Sequence, residues 1–241
     1  MKKINLYISG GGGAQDSFLL DKHFLNKFDK KKKVLYIPVA MEVDEVGFES
    51  CYDWIIETLS NISEDFIDVT MWTDLHSKTW DDIKDFGAIY IGGGNTFKLL
   101  NYLSNTSFAL LLKQFIDSGG VVYGGSAGAI IMGRSINTVR EENDKNYTES
   151  LGLNLFFGYS IICHYNNKMN NKIIDYIQTS KDKVIALPEK TGLCLFNSEI
   201  LVIGYEPAYY FDLRGKIKIL ELNKKYYYDE EKKEICNLRL P

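Results

Sequence analysis

The chain has 241 residues, of which 45% are hydrophobic and 25% are charged, and its net charge is −4. These values are typical of a single globular domain, which we take to span residues 1–241. The acidic balance gives no general attraction to nucleic acid, and no apolar stretch approaches the roughly 20 residues of a membrane span. The four cysteines form no Cys-x-x-Cys pair, so we expect free thiols, a cytoplasmic protein and no metal site.

Short β-branched and aromatic runs alternate with longer amphipathic runs through the first half of the chain. The predicted strands are 4–8, 34–38, 66–69, 88–91 and 121–123, and the predicted helices are 17–28, 46–59, 96–103 and 108–118. This alternation predicts an α/β fold with a mostly parallel sheet and helices on both faces. In such folds ligands bind beyond the carboxyl ends of the strands.

The pattern changes after about residue 183. Short strands are predicted at 184–187, 193–196, 200–203, 209–211 and 217–222, with brief turns between them. We expect these strands to be antiparallel, and either to extend the main sheet or to form a flap on it. Residues 224–233 predict an exposed hairpin or tail.

The most informative segment is Gly-Gly-Ser-Ala-Gly at residues 124–128, directly after the predicted strand 121–123. Ser126 has a glycine at both second neighbours, which is the G-x-S-x-G pattern of a nucleophile elbow. A strained strand-to-helix turn of this kind exposes the serine hydroxyl and leaves the N–H of Ala127 free for a developing oxyanion. The alternative is a glycine-rich turn that only packs tightly or binds a phosphate.

A serine nucleophile needs a general base, and the chain has three histidines. His23 falls in the predicted helix 17–28, where a surface or packing role is expected. His76 lies in a polar loop. His164 ends the apolar run 159–163, so it would stand at the carboxyl end of a strand, on the same edge of the sheet as Ser126. We therefore predict His164 as the base.

The orienting acid is predicted to be Glu189, which follows the strand 184–187 on the same edge. Glu141, Glu142 and Asp144 are the alternative, in a polar segment after the elbow that could fold back over the site. A solvated loop is the other interpretation of that acidic segment.

Two glycine runs follow predicted strands. Residues 92–96, Gly-Gly-Gly-Asn-Thr, come after the strand 88–91 and open a helix, so their N–H groups could supply the second oxyanion donor. Residues 10–13 are all glycine but lack the spaced third glycine of a dinucleotide-binding turn. We expect them to line the cleft, and we expect no cofactor.

The residues 91–100 and 124–129, taken together, resemble the aspartyl dipeptidase (peptidase E) and cyanophycinase family of serine peptidases. The resemblance extends from the first strand to about residue 204. It implies a three-layer α/β sandwich of flavodoxin-like type, related to class I glutamine amidotransferases, with the antiparallel strands added at the C-terminal end. It also implies a Ser-His-Glu triad of Ser126, His164 and Glu189, with Gly94 and Ala127 as the oxyanion donors.

The resemblance further implies a substrate, a small peptide that has an acidic residue before the scissile bond. Gly12, Asn95, Arg134 and Lys190 are the candidate substrate contacts, and Arg140 could also reach the site. Hydrolysis of esters or of the isopeptide bonds of a storage polymer is an alternative, as is a non-catalytic binding protein on the same fold. We expect a monomer or a homodimer.

Overall fold

The computed structural model describes residues 4–41, 47–139, 143 and 146–237. The strands among these residues are β1 (Asn5–Ser9), β2 (Val34–Ile37), β3 (Val69–Met71), β4 (Ala88–Ile91), β5 (Val121–Gly125), β6 (Ser160–Ile162), β7 (Val184–Ala186), β8 (Thr191–Phe196), β9 (Glu199–Gly204), β10 (Ala208–Phe211), β11 (Ile217–Leu220), β12 (Lys225–Asp229) and β13 (Glu234–Asn237). The helices are α1 (Ala14–Leu25), α2 (Gly47–Ser60), α3 (Trp80–Ile83), α4 (Thr96–Ser104), α5 (Phe108–Asp117), α6 (Ala127–Ile130) and α7 (Asn170–Ser180).

Within the described part of the chain, the larger sheet has nine strands in the order β13-β12-β9-β8-β1-β5-β4-β2-β3. Strands β1, β5, β4, β2 and β3 are parallel, whereas β8, β9, β12 and β13 are antiparallel. The sheet is therefore parallel in the first half and antiparallel after about residue 183, as predicted. The physical reason is connection length, since the short turns of that half can join only antiparallel neighbours.

A second sheet, with the order β11-β10-β7-β6, accounts for the remaining strands of the described residues. Strands β6 and β7 are parallel, and β10 and β11 are antiparallel to their neighbours. The predicted antiparallel strands therefore divide between an extension of the main sheet (β8 and β9) and this second sheet (β7, β10 and β11), where β7 is antiparallel to β10 but parallel to β6. The predicted hairpin at residues 224–233 is confirmed as the β12–β13 pair.

Both faces of the large sheet are covered, so its central strands are apolar on both sides. Helices α1 and α2 pack on one face, through Leu20, Phe24, Ile55 and Leu59. Helices α4, α5 and α6 and the second sheet pack on the other face, in a single apolar core. Helix α7 covers the outer face of the second sheet. None of the helices in the described ranges is long and apolar enough to cross a membrane.

Two local differences from the predicted elements have clear causes. The strand predicted at 66–69 begins only at Val69, because the Phe66 side chain is 85% exposed and contributes nothing to the core. Helix α1 begins at Ala14 rather than at residue 17, because the Asp16 carboxylate accepts the backbone N–H of Gly13 (2.9 Å) and caps the earlier turn.

Candidate active site

Ser126 stands on a sharp turn between β5 and α6. Its backbone has φ 47° and ψ −108°, a region that residues other than glycine rarely adopt. A Cβ atom on Gly124 would lie 2.4 Å from the carbonyl oxygen of Gly128, and one on Gly128 would lie 2.4 Å from the carbonyl oxygen of Ile91, so neither second neighbour has room for a side chain. The predicted strand–turn–helix context of the G-x-S-x-G motif is confirmed.

His164 follows β6, and its imidazole lies between two other side chains. The ring atom Nε2 is 2.8 Å from Ser126 Oγ, and Nδ1 is 2.9 Å from Glu189 Oε1. Because a carboxylate can only accept, Nδ1 carries the proton that is donated to Glu189, and Nε2 is left to accept the serine hydroxyl. The structure thus brings the three predicted residues together in one hydrogen-bonded chain.

The glycine run at residues 10–13 holds the imidazole in place. The backbone N–H of His164 donates to the carbonyl oxygen of Gly10 (2.9 Å). Gly11 has φ +104°, and a Cβ atom there would lie 2.3 Å from Cε1 of the imidazole. The predicted role of this run, a turn that lines the cleft, is therefore confirmed, and the absence of side chains makes room for the histidine ring.

Glu189 lies on the short link between β7 and β8, directly after Pro188. Its side chain is 53% exposed, against 33% for His164, so the outer end of the hydrogen-bonded chain faces solvent. The alternative acids Glu141, Glu142 and Asp144 lie outside the residues that the structure describes, as does Arg140.

The two predicted oxyanion donors, Gly94 and Ala127, lie next to Ser126. The N–H of Ala127 is at the first position of α6, and a small cavity of about 130 Å³ is lined by Gly94, Ser126 and His164. Among the described residues, neither the Ala127 nor the Gly94 N–H donates to a backbone carbonyl outside its own helix or strand. The neighbouring N–H of Asn95 is already used, because it donates to the carbonyl of Ala40 (2.8 Å).

The predicted substrate contacts do not all reach this site. Gly12 lines a larger cavity beside Ser126, and Lys190 is exposed next to Glu189. Asn95 caps α4, where its side-chain oxygen accepts the backbone N–H of Lys98 (2.9 Å).

Arg134 is placed away from the site. Its Nε pairs with Oδ1 of Asp182 at 3.0 Å, and Asp182 precedes β7, whereas Glu189 follows it. The arginine therefore lies at the amino ends of β6 and β7, and the expectation that it contacts substrate is corrected. Its sequence neighbourhood gave no sign of this partner, which is distant along the chain.

The other two histidines have structural partners. His23 on α1 lies 2.8 Å from the hydroxyl of Tyr7 through Nδ1, and His76 pairs with Asp74 at 2.7 Å. Both agree with the predicted non-catalytic roles. The four cysteines are free, and the described residues include no group of three or more histidine, cysteine or acidic side chains that could hold a metal ion.

The larger cavity, of about 310 Å³, was missed at the level of sequence. Tyr36, Tyr90 and Tyr123 line it and occupy the same register position on the adjacent strands β2, β4 and β5. Trp54 of α2 lines it as well. The sequence has one tyrosine in each of three predicted strands, but the pairing register must be known before these tyrosines can be recognised as a row.

Behind this cavity lies a buried carboxyl group. Asp21 on α1 is fully buried and accepts a hydrogen bond from the hydroxyl of Ser17 (2.7 Å), which lines the cavity. Burial raises the pKa of Asp21 to about 6, although the Ser17 hydroxyl opposes the rise. Burial also raises the pKa of Tyr90 and of Tyr123 well above the usual value, so both hydroxyls are uncharged.

Comparison with known proteins gives consistent matches. The model of peptidase family S51 matches residues 6–203. A peptidase E of Nostoc sp. is 27% identical over 219 residues, which cover 86% of this chain and 83% of that protein. An uncharacterised peptidase of Pasteurella multocida is 31% identical over 161 residues, which cover 63% of this chain and 75% of that protein.

Two solved structures are similar over most of their length. A candidate peptidase E protein from Listeria monocytogenes EGD-e has a TM-score of 0.66 at 25% identity, covering 85% of this chain and 100% of that one. A peptidase from an acI-B1 actinobacterium has a TM-score of 0.71 at 20% identity, covering 94% and 98%. The second likeness shows a shared fold.

Proposed function

Since this chain belongs to peptidase family S51 and is a serine-type peptidase, we propose that it hydrolyses small peptides through a triad of Ser126, His164 and Glu189. The family resemblance noted from the sequence motifs is confirmed by these matches. One observation carries the proposal for the triad, namely the continuous chain from Ser126 Oγ through the imidazole to Glu189 Oε1, with distances of 2.8 and 2.9 Å.

The geometry supports the usual division of labour in a serine peptidase. His164 Nε2 would take the hydroxyl proton as Ser126 Oγ attacks the peptide carbonyl, and Glu189 would stabilise the imidazolium that results. The imidazolium then protonates the leaving amine, and a water molecule, deprotonated in the same way, releases the acyl group from the serine. Because Nδ1 is held by Glu189, Nε2 stays directed at the serine in every step.

The negative oxygen of the tetrahedral intermediate needs donors that are free beforehand. We assign this role to the N–H groups of Gly94 and Ala127, which border Ser126 and, among the described residues, donate to no backbone carbonyl outside their own helix or strand. Each such donor lowers the barrier by on the order of 3 kcal/mol. The start of α6 at Ala127 supports this assignment, because the first N–H groups of a helix have no partner within the helix.

The family resemblance also implies a narrower substrate class, namely dipeptides whose first residue is acidic. Neither cavity beside Ser126 is lined by a lysine or an arginine of the described residues. Our proposal is therefore hydrolysis of small peptides, and an acidic preference is one outcome of the assay. The relation to class I glutamine amidotransferases belongs to the same proposal and is supported by the layered α/β arrangement.

The proposal is tested by comparing the purified protein with its Ser126→Ala variant. We expect turnover of a dipeptide panel to be lost in the variant, with an unchanged circular dichroism spectrum. A fluorophosphonate probe should label the wild type, and His164→Ala should slow the labelling. Ser104→Ala, an exposed serine at the end of α4, is the matched control and should retain full activity.

Other results of these assays would distinguish the alternative functions. Undiminished turnover by Ser126→Ala would refute the mechanism. Cleavage of simple esters alone, or of a branched Asp-Arg polymer alone, would favour the other acyl hydrolases. Failure of the probe to label the wild type would favour a non-catalytic binding protein.

A further inference from the structure

The larger cavity beside Ser126 has walls made of aromatic rings. Tyr90 and Tyr123 are stacked, with ring centroids 4.3 Å apart, and Tyr36 meets Tyr90 edge-on at 5.8 Å. Trp54 closes the row from α2, with its ring centroid 6.3 Å from that of Tyr90. Such a surface presents both ring faces and ring edges, and another aromatic ring gains about 0.5–1.5 kcal/mol from that arrangement beyond the area it buries.

This cavity opens directly onto the nucleophile. Ser126 and His164 both line it, together with Gly125 and Gly93. The hydroxyl of Tyr90 lies 3.8 Å from the place where a Cβ atom on Gly125 would stand, so no protein side chain separates the ring from the residue before the nucleophile. The substrate residue whose carbonyl Ser126 attacks can therefore extend its side chain into this cavity.

The charges around the cavity disfavour an acidic group. No lysine or arginine of the described residues lines it. Lys98 is close to the rim, but its Nζ donates to the backbone carbonyl of Met41 (2.5 Å). Behind the wall, Asp21 is buried next to Ser17 and becomes a carboxylate above its pKa of about 6. A substrate carboxylate would lose its hydration there, no lysine or arginine of the described residues lines the cavity to pair with it, and Asp21 behind the wall is a like charge.

From these observations we infer that the larger cavity is a specificity pocket for an aromatic side chain, phenylalanine or tyrosine, on the substrate residue whose carbonyl Ser126 attacks. The volume of about 310 Å³ is at the lower end of the range for small-ligand pockets, roughly 300–1,000 Å³, which suits one large side chain rather than a peptide segment. The inference rests on the proposed function, because it assigns the substrate of that same site.

The test measures kcat/KM for dipeptides that differ only in the first residue: Phe-Leu, Tyr-Leu, Leu-Leu, Ala-Leu, Asp-Leu and Glu-Leu. We expect Phe-Leu and Tyr-Leu to exceed Asp-Leu and Glu-Leu by about 100-fold or more, since the pocket leaves a carboxylate unpaired. A preference for Asp-Leu or Glu-Leu, or equal values for all six dipeptides, would overturn the inference and leave the proposed peptidase function intact.

A pocket variant ties this preference to the cavity. Trp54→Ala removes one aromatic wall from a side chain that is 37% exposed, so the fold should be retained. We expect kcat/KM for Phe-Leu to fall about tenfold and the value for Ala-Leu to change little, because only the large side chain uses the wall. Asp53→Ala, its exposed neighbour on α2 that lines neither cavity, is the matched control. Equal losses for both dipeptides would contradict the assignment.

Binding gives a readout that does not depend on catalysis. Calorimetry on the Ser126→Ala variant should show tighter binding of Phe-Leu than of Asp-Leu, and Trp54→Ala in that background should reduce the difference about tenfold. If the wild type neither cleaves the panel nor reacts with the fluorophosphonate, the proposed function fails. The binding comparison then still decides whether the pocket takes aromatic side chains, and tighter binding of Asp-Leu would refute it.

Discussion

Replacing Gly11 by alanine should disable the site by displacing His164. The new Cβ atom would lie 2.3 Å from Cε1 of the imidazole, whereas ordinary contacts of a Cβ begin at 3.4 Å. The ring must therefore move by about 1 Å. The contact between His164 Nε2 and Ser126 Oγ is 2.8 Å, so a shift of this size away from the serine breaks the hydrogen bond.

The size of the effect follows from this displacement. A misplacement of about 1 Å in a catalytic group can cost about 100-fold in rate, or about 2.7 kcal/mol in the barrier. Gly11 also has φ +104°, a conformation that costs an alanine on the order of 1–3 kcal/mol, so a moderate fall in stability accompanies the loss. Activity should fall far more than the folded fraction.

Two rates are measured. The first is the rate at which a fluorophosphonate labels the Ser126 hydroxyl, which requires no knowledge of the natural substrate. The second is the rate of dipeptide turnover. Circular dichroism and a urea titration verify folding. Gly13→Ala is the matched control in the same glycine run, because its Cβ atom would meet nothing closer than 3.8 Å and its φ is −88°. A folded Gly11→Ala protein that labels and turns over as fast as Gly13→Ala would refute the reasoning.

Three more predictions follow from individual side chains. Glu189→Gln should lower kcat by about 100-fold, because Nδ1 of the imidazole loses its charged acceptor. Asp21→Asn should raise the free energy of unfolding at pH 8 by up to about 3 kcal/mol, since burial lifts the pKa of Asp21 from 3.8 to about 6. Arg134→Ala should cost about 1 kcal/mol of stability, because buried Asp182 loses its cation, and should leave turnover unchanged.

Because burial raises the pKa of Asp21, this carboxyl does not lower the free energy of unfolding of the wild type below pH 4. It lowers that free energy as pH rises through about 6. The gain from Asp21→Asn should therefore be small at pH 4, and an equal gain at pH 4 and pH 8 in urea titrations contradicts it. Glu199→Gln, at the far end of β9, is the control for Glu189. Loss of turnover in folded Arg134→Ala would show that the arginine acts at the site.

The closeness of Ser126, His164 and Glu189 was predicted from a rule about strand ends, although the structure places the strands before them in two sheets. Ser126, His164 and Glu189 each follow a short apolar run, and the carboxyl ends of such strands meet at one edge. The turn at Ser126 also requires glycine at the neighbouring positions. In the structure, Gly124 lies too close to Gly128 to carry a side chain. The family resemblance also supported the choice of Glu189, and the catalytic role of the three residues stays a prediction.

The second sheet, the tyrosine row and the partner of Arg134 were not predicted. They depend on contacts between residues that are far apart in the sequence, and local sequence patterns do not specify such contacts. The strands β6 and β7 read as apolar runs like those of the large sheet, so nothing indicated that they belong to a second sheet. The row of Tyr36, Tyr90 and Tyr123 exists only in one register, and a shift by one residue would turn each ring to the opposite face. The partner of Arg134 is likewise set by the fold.

The hydrogen-bonded chain at the site crosses from one sheet to the other. Ser126 belongs to the large sheet, and His164 and Glu189 extend from the second sheet. Gly10 joins the two, because its carbonyl accepts from His164 and its N–H donates to Thr191 of β8, both at 2.9 Å. Hydrolysis should then cease as soon as the sheets separate by an ångström or so, while each still keeps its secondary structure. A partly assembled chain would be unable to cut peptides, so this layout makes proteolysis conditional on completed folding.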